Sequence, residues 1–423
     1  MEELYQYLWK YRMFGTDFKD GETSVKVISA GLHNVNSGPD FSSAVVKIDG
    51  QQWAGNIEIH VRASDWYRHG HDKDSAYDNI VLHVVGHDDV RITRRDGSVI
   101  PQIVVKVPDG VVRTHAELQG GLKGIRCGKR LRELPELIVH DWIERMAVER
   151  LQSKSERIHD YLRETDGDWE KTAFITLSRA LGFGTNGEPF EILGRMLPLN
   201  FMRRHSDNLM QLEAMIFGVA GLLQPHLYPY DEYYQLLVRE YIFLSAKYGL
   251  KSMDASVWKF SRMRPQGMPY RRMALLASAI ASGESVFDSV IDFAKGRRKI
   301  EEMFTWRVSA YWNSHYTFGS SPVTASSAIG ATGRDLLMIN VVAPLAYLYF
   351  SFRGDPDGAE AAMSVLERLR PEKNVIIDLW KSLGIEPDNA FRSQALIHLR
   401  REYCDKNKCL QCRFGHRLLL ISR

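Results

Sequence analysis

A β-hairpin is predicted by NSGPDFSSAVVKIDGQQWAGNIEIH, which covers residues 36–60. Two runs rich in β-branched residues flank an Asp-Gly pair at 49–50, and this pair is typical of tight hairpin turns. Similar short runs, with a second Asp-Gly pair at 96–97, extend over residues 20–108. The simplest arrangement is an antiparallel meander with one longer connection at 62–78. The amphipathic start of the chain, MEELYQYLWKYRMF, predicts a helix that covers one face of the sheet.

The remainder of the chain predicts helices. From about residue 134, apolar residues recur at three- and four-residue spacing, as in ELIVHDWIERMAVERLQSKSERIHDYLRE. The predicted fold class is α+β, with a β-rich N-terminal domain and flanking helix, a larger all-helical domain and a C-terminal cysteine-rich segment. The predicted boundaries are 1–118 for the β-rich domain, 119–133 for a Gly-rich linker, 134–397 for the helical domain and 398–423 for the basic cysteine-rich segment.

Composition and charge limit the classes of protein. The length of 423 residues exceeds one ordinary hydrophobic core, so more than one domain is expected. The net charge of +3 is too small to demand a polyanionic partner, but it permits one if the basic residues cluster. The sequence shows neither a secretory signal nor an apolar run long enough to span a bilayer. We therefore expect a cytoplasmic protein without a membrane partner.

The hairpin carries a candidate catalytic set. Asp40 begins one predicted strand, and Glu58 and His60 share a face of the next because side chains alternate along a strand. A three-residue loop would place Asp40 and Glu58 on the same face of the hairpin, whereas a loop of two or four residues would place them on opposite faces. Two carboxylates suit Mg²⁺ or Mn²⁺, which would polarise a phosphate and activate water. We predict Asp40 and Glu58 as metal ligands and Asp40, Glu58 and His60 as catalytic residues; the alternative is a solvated strand face.

Further histidines follow in the connection and in the next strand. His69, His71 and His83 lie within a segment unusually rich in His and Asp, and with His60 they would complete a transition-metal site. The alternative is that His69 and His71 form a polar surface turn and that His83 is a hydrogen-bonded core residue.

The four cysteines form a second candidate metal site. Cys404, Cys409 and Cys412 lie within nine residues, and Cys127 is the only available fourth thiol. In a reducing compartment, such a close group binds metal more often than it forms disulfides. Four thiolates would hold Zn²⁺ or a [4Fe–4S] cluster. The alternative is a helix end with buried thiols.

Two basic groups are candidate contacts with DNA or RNA. Arginines clustered around prolines 265 and 269 on a rigid loop suit phosphate binding. Lysines close to the cysteines add to a basic C-terminal segment. The predicted nucleic-acid contacts are Arg262, Arg264, Arg271, Arg272, Lys406 and Lys408. The alternative is a solvated interhelical loop with Arg–carboxylate pairs.

The combination of GPDF, GNIEIH, DWYRHGHDKDSAYDNIVLHVV, WKFSRMRP and EYCDKNKCLQC resembles an uncharacterised bacterial family, classed as a domain of unknown function, over nearly the whole chain. Pro39-Asp40 with Glu58-x-His60 also resembles a variant of the PD-(D/E)XK nuclease superfamily motif. This resemblance implies that Asp40 and Glu58 match the metal-binding carboxylates. His60 stands where that motif has a lysine.

Three hypotheses for function follow. The first is a metal-dependent nuclease that cleaves phosphodiester bonds in DNA or RNA. The second is a non-catalytic scaffold that binds nucleic acid or protein and contains a structural Zn or Fe–S site. The third is a metal-dependent hydrolase of another substrate that uses His60, His69, His71 and His83.

Overall fold

The structure is a computed structural model, and it describes residues 1–20, 23–120, 124–261, 263, 267–323 and 326–423. The chain forms two compact units: Met1–Trp142 with Arg400–Arg423, and Ile143–Leu399. The cysteine-rich end of the chain therefore belongs to the same unit as the N-terminal strands. Residues 121–123 of the predicted linker, Arg262 and Arg264 lie outside the described residues.

A single mixed sheet organises the first unit. Within the described residues its strands are β1 (Asp17–Asp20), β2 (Thr23–Ser29), β3 (Leu32–His33), β4 (Phe41–Ile48), β5 (Gln51–Arg62), β6 (Ile80–His87) and β7 (Gln102–Val104). The strand order is β1-β2-β4-β5-β6-β7, and β3 pairs with β4.

The direction of the strands changes halfway across the sheet. Pairing is antiparallel from β1 to β5, but β5–β6 and β6–β7 are parallel. The expected antiparallel meander is therefore wrong beyond β5. A parallel neighbour requires a long crossover connection. Residues 63–79 provide it and contain short helical turns. This connection carries His69 and His71, which lie beside His60 and Glu58 of β5.

The helices in the described residues are α1 (Glu2–Lys10), α2 (Asp65–Arg68), α3 (Asp109–Gln119), α4 (Glu136–Glu164), α5 (Trp169–Leu181), α6 (Gly187–Met196), α7 (Leu199–Arg203), α8 (Leu209–Val219), α9 (Glu232–Tyr248), α10 (Pro269–Ala281), α11 (Val286–Ala294), α12 (Ala331–Leu337), α13 (Ala343–Phe352), α14 (Pro356–Glu367), α15 (Val375–Ser382), α16 (Ala390–His398) and α17 (Arg413–Ile421). Two π-helical segments, Met338–Val342 and Leu399–Cys404, and several 3₁₀ turns complete the helical structure. The predicted α+β class is confirmed.

Helix α1 covers the sheet as the sequence predicts. Its Tyr5 and Trp9 belong to the same buried cluster as Phe41 and Val84 of the strands. A Cβ atom on Gly86 would lie 2.3 Å from the hydroxyl oxygen of Tyr5, so the helix can approach β6 only because this residue is glycine. In the second unit, helices α8, α9 and α10 contribute to a separate large core around Phe217.

One helical stretch has the length and apolar character of a membrane span. Residues Ala331–Phe352 reach a mean hydropathy of 1.5, and a bent pair formed by α10 and α11 passes the same test only if it is counted as one span. This differs from the expectation that no apolar run is long enough. However, 56% of the apolar window in Ala331–Phe352 is buried by other parts of the chain, as in the core helix of a soluble protein. It is weak evidence for a membrane, and the cytoplasmic location stays a prediction.

Candidate metal centre

A β-bulge brings Asp40 opposite Glu58. The turn between β4 and β5 has only two residues, and both have positive φ (48° for Asp49 and 89° for Gly50), as in a type I′ turn. Ile48 then pairs with Gln51, and Ala44 with Gly55, but Phe41 pairs with Ile57, one residue out of step. This shift places Asp40 next to Glu58.

Asp40 is hydrogen-bonded to Glu58 and to two other residues. The backbone N–H of Asp40 donates to Oε2 of Glu58 at 3.0 Å. The oxygens of Asp40 accept from Nε2 of Gln6 at 2.7 Å and from the backbone N–H of Ile59 at 3.0 Å. Burial, together with repulsion from Glu58, raises the pKa of Asp40 to about 7. The two carboxylates are thus neighbours, and Oε1 of Glu58 is the oxygen directed at the histidines.

Two histidines face that oxygen, and a third lies beside one of them. Nε2 of His60 is 3.7 Å and Nε2 of His71 is 3.3 Å from Oε1 of Glu58. Nε2 of His60 is also 3.2 Å from Nδ1 of His69, and one ligand atom from each histidine lies within 4.8 Å of the others. Metal–nitrogen bonds of about 2.0–2.1 Å imply ligand separations of roughly 3.3 Å in a tetrahedral site. The three histidine atoms therefore have the spacing of metal ligands, and Oε1 of Glu58 lies beside two of them.

A chain of hydrogen bonds fixes the tautomer of His60. Asp88 accepts from Nε2 of Gln102 at 2.7 Å, so Oε1 of Gln102 faces Nδ1 of His83 at 2.8 Å and must accept its proton. Nε2 of His83 then carries a lone pair and accepts from Nδ1–H of His60 at 2.8 Å. Nε2 of His60 is left with its lone pair directed at the other ligand atoms. Partners of this kind orient metal-binding imidazoles.

Burial keeps the central imidazoles neutral. His60 and His83 are fully buried. Burial, followed by repulsion from His83 and His71, lowers the pKa of His60 to about 2. Burial also lowers the pKa of His83 to about 4. A neutral imidazole is the form that binds metals.

His71 has a buried nitrogen aimed into the cluster. Within the part of the chain that is described, its Nε2 has no partner in hydrogen-bonding geometry, although Oε1 of Glu58 is 3.3 Å away. The ring of Tyr77 stacks on His71 with centroids 3.8 Å apart, and Trp66 contacts the edge of His71 at 5.3 Å. These aromatic contacts hold the imidazole in place. A metal ion would supply the missing partner for Nε2.

One side of the cluster is open to solvent. His69 is exposed, His71 is partly exposed, and Gly70 separates them in a left-handed conformation with φ of 76°. Three imidazole nitrogens and one carboxylate oxygen suit Zn²⁺, Mn²⁺ or Fe²⁺ better than Mg²⁺, which prefers oxygen ligands. A metal that accepts a fifth or sixth ligand would bind water or substrate from this side.

The structure brings some of the predicted site residues together and leaves others out of the cluster. It gathers Glu58, His60, His69 and His71 with Asp40 beside them, whereas both ring nitrogens of His83 are engaged behind His60. The sequence analysis missed Gln6, Asp88 and Gln102. No local pattern marks them, since each reaches the site only through helix packing or parallel strand pairing.

The basic residues lie apart from this cluster in the sequence, and their role in nucleic-acid binding stays a prediction. In the second unit, Arg271 is buried, donates to the carbonyl of Ser326 and lies over the ring of Tyr316. The guanidinium of Arg272 lies 3.6 Å from the ring centre of Phe183. Lys406 and Lys408 of the first unit are exposed, and Lys406 pairs with Glu402.

Replacing Gln102 with leucine should weaken metal binding by roughly 10–100-fold, because the lost acceptor no longer fixes His83 and, through it, His60. A competition titration with a coloured chelator measures the affinity. Gln52→Leu, at an exposed position on β5, is the matched control. Equal affinities for Gln102→Leu and the control would show that the hydrogen-bond chain does not orient the ligands.

The fold and the site together describe an α+β protein with a candidate transition-metal centre at its mixed sheet. The chain belongs to the family described as protein of unknown function (DUF2851), whose model matches residues 2–375. The match includes the histidine cluster and ends before the three C-terminal cysteines. Neither a curated protein nor a solved structure matches the chain.

Proposed function

We propose that the protein is a metal-dependent hydrolase that cleaves phosphodiester bonds in DNA or RNA. The observation that carries this proposal is the group of three histidine ligand atoms, from His60, His69 and His71, with the carboxylate of Glu58 beside His60 and His71. A bound metal would polarise a phosphoryl oxygen and lower the pKa of a coordinated water. The resemblance of the Asp40 and Glu58 motif to nucleases supports the choice of a phosphodiester substrate.

Each residue has a distinct part in this proposal. His60, His69 and His71 hold the metal, with Oε1 of Glu58 as the fourth ligand. Asp40 acts through Glu58, because its backbone N–H holds the other carboxylate oxygen. The substrate approaches past the exposed His69.

A positively charged side chain lies near the side of the cluster from which the substrate would approach. The exposed guanidinium of Arg68 is close enough to act on the pKa of His60, and it is 2.9 Å from Asp65. Arginine next to a metal suits a substrate with a phosphate group.

The test uses the full chain, purified without chelator and then incubated with labelled single- and double-stranded DNA and RNA. Mn²⁺, Zn²⁺ and Mg²⁺ are compared. We expect cleavage with a transition metal and its loss in Glu58→Ala, whereas Glu117→Ala, at an exposed position on α3, should cleave like the wild type. Cleavage that survives in Glu58→Ala, or no cleavage by metal-loaded protein, would overturn the proposal.

A binding scaffold is the second candidate function. The observation that favours it is the engagement of both carboxylate oxygens of Asp40 by Gln6 and Ile59, so that of these two carboxylates Glu58 is the one directed at His60 and His71. Metal-dependent binding of nucleic acid without cleavage, measured in the same incubations by gel retardation, would support this candidate over the hydrolase.

A further inference from the structure

Four cysteines surround one cavity in the first unit, away from the histidine cluster in sequence. Cys127, Cys404, Cys409 and Cys412 all line the cavity, together with Arg126 and Lys408. They are free thiols from two segments that are more than 270 residues apart in the chain. Helix α17, which follows Cys412, also packs against α3 and the 3₁₀ turn Gly128–Glu133, which follows Cys127.

The local structure presents each sulfur from the end of a helical segment. Cys127 precedes a 3₁₀ turn, Cys404 ends the π-helical segment Leu399–Cys404, Cys409 begins a 3₁₀ turn, and Cys412 is the N-cap of α17. A Cβ atom on Gly415 would lie 2.1 Å from the carbonyl oxygen of Cys409, so the return of the chain beneath the cavity requires glycine there. The backbone is thus shaped around the four thiols.

The four thiols are gathered at one place and largely withdrawn from solvent. Cys412 is buried, and Cys127, Cys404 and Cys409 are partly buried. All four line the same cavity. A cation bound there would compensate four thiolates.

The surroundings favour an anionic centre. In the described residues, Nη1 of Arg400 is buried without a hydrogen-bond partner, while Nη2 of the same guanidinium pairs with Asp405 at 2.8 Å, and both groups lie near Cys404. Arg126 likewise lies near Cys409. The backbone N–H groups of Phe414 and Gly415, at the start of α17, point towards Cys412. Positive charges and N–H donors around thiolates are the features that stabilise metal–sulfur centres and set their potentials.

The spacing of the sulfurs decides between kinds of centre. A single Zn²⁺ with bonds of about 2.3 Å would hold its thiolates roughly 3.8 Å apart. Among the described residues, three ligand atoms lie within 4.8 Å of one another at His60, His69 and His71. The cysteines form no such group, so no three of their sulfurs are that close. In a cluster, the thiolates on different iron atoms are farther apart, because iron and sulfide lie between them. The C-x₄-C-x₂-C spacing of Cys404, Cys409 and Cys412 also occurs in plant-type ferredoxins, in which the fourth cysteine follows these three, whereas Cys127 precedes them here.

We propose that Cys127, Cys404, Cys409 and Cys412 bind an iron–sulfur cluster that fastens the C-terminal segment to α3 and to the turn after Cys127. This proposal is independent of the hydrolase proposal. The cluster would tie the two ends of the first unit, which the chain separates by the whole second unit.

The test is metal and sulfide analysis of the full chain, purified without oxygen and without chelator. We expect a brown protein with equal amounts of iron and acid-labile sulfide, and the iron content per chain gives the number of iron atoms in the cluster. Cys127→Ser and Cys412→Ser should lose the colour and the iron. Ser422→Ala, at the C-cap of α17 and outside the cysteine set, is the matched control and should keep both.

The wild-type measurement does not depend on whether the variants fold. A colourless anaerobic protein, with one zinc per chain or with no metal, would overturn the proposal. Iron and sulfide retained in the Cys127→Ser, Cys412→Ser double variant would also overturn it, because the iron would then lie elsewhere.

Discussion

Replacing His60 with alanine should abolish metal binding at the histidine cluster and remove the stabilisation that the metal provides. His60 is fully buried, and its Nε2 lies 3.2 Å from Nδ1 of His69 and 3.7 Å from Oε1 of Glu58. A ligand that binds only the folded state at 100 times its Kd stabilises that state by about 2.7 kcal/mol. For a unit of this size, this corresponds to a rise in Tm of roughly 5–10 °C.

The Tm of the sheet-containing unit is measured with and without added Zn²⁺ or Mn²⁺. The amount of metal bound per chain is measured in the same samples. Wild type and His87→Ala should respond to the metal, since His87 is exposed at the end of β6. His60→Ala should show no rise in Tm, whatever its own stability without metal. A rise equal to that of the wild type would place the metal at another site.

The arrangement around His60 also shows which parts of the site can be predicted from sequence. Alternation along β5 correctly places Glu58 and His60 on one face, and the Asp49-Gly50 pair correctly predicts a hairpin turn but leaves its length open; the structure has a two-residue turn. By alternation alone, however, a two-residue turn would place the side chains of Asp40 and Glu58 on opposite faces of the sheet. The bulge near Ser43, which has φ of 55°, restores their alignment. Nothing in Phe41-Ser42-Ser43-Ala44 signals a bulge, because no glycine occupies the left-handed position.

The supporting residues could not be predicted for a different reason. Gln102 reaches His83 because β7 pairs in parallel with β6, and Gln6 reaches Asp40 because α1 packs across the sheet. Both contacts are set by tertiary structure and leave no periodic signal in the sequence. The role of His83 also depends on this pairing, which uses both of its ring nitrogens and leaves none for a metal.

Replacing Glu213 with glutamine should make the second unit more stable at high pH and reduce its dependence on pH. Glu213 lies on α8 and is fully buried, and its Oε2 accepts hydrogen bonds from the hydroxyl of Tyr233 at 2.6 Å and from Nε1 of Trp312 at 3.0 Å. Burial raises the pKa of Glu213 from 4.5 to about 7, although both donors favour the charged form. The cost of burying the carboxylate therefore exceeds the gain from its hydrogen bonds.

The sign of the pH effect follows from which state binds the proton. Between pH 4.5 and about 7 the folded state keeps the proton of Glu213 while the unfolded state loses it, so wild-type stability falls as pH rises through this range. A shift of this size corresponds to about 3 kcal/mol. Glutamine keeps the shape and an acceptor oxygen but cannot ionise.

The experiment follows the unfolding transition of the second unit in chemical denaturant at pH 4 and at pH 8. Relative to the wild type, Glu213→Gln should gain about 3 kcal/mol in its free energy of unfolding between these two values. Glu232→Gln, at an exposed position on α9, is the control and should show the wild-type dependence. Every other titrating group is common to Glu213→Gln and the wild type, so its contribution cancels in that comparison. Parallel pH profiles for Glu213→Gln and the wild type would mean that Glu213 ionises as readily in the folded unit as in the unfolded chain.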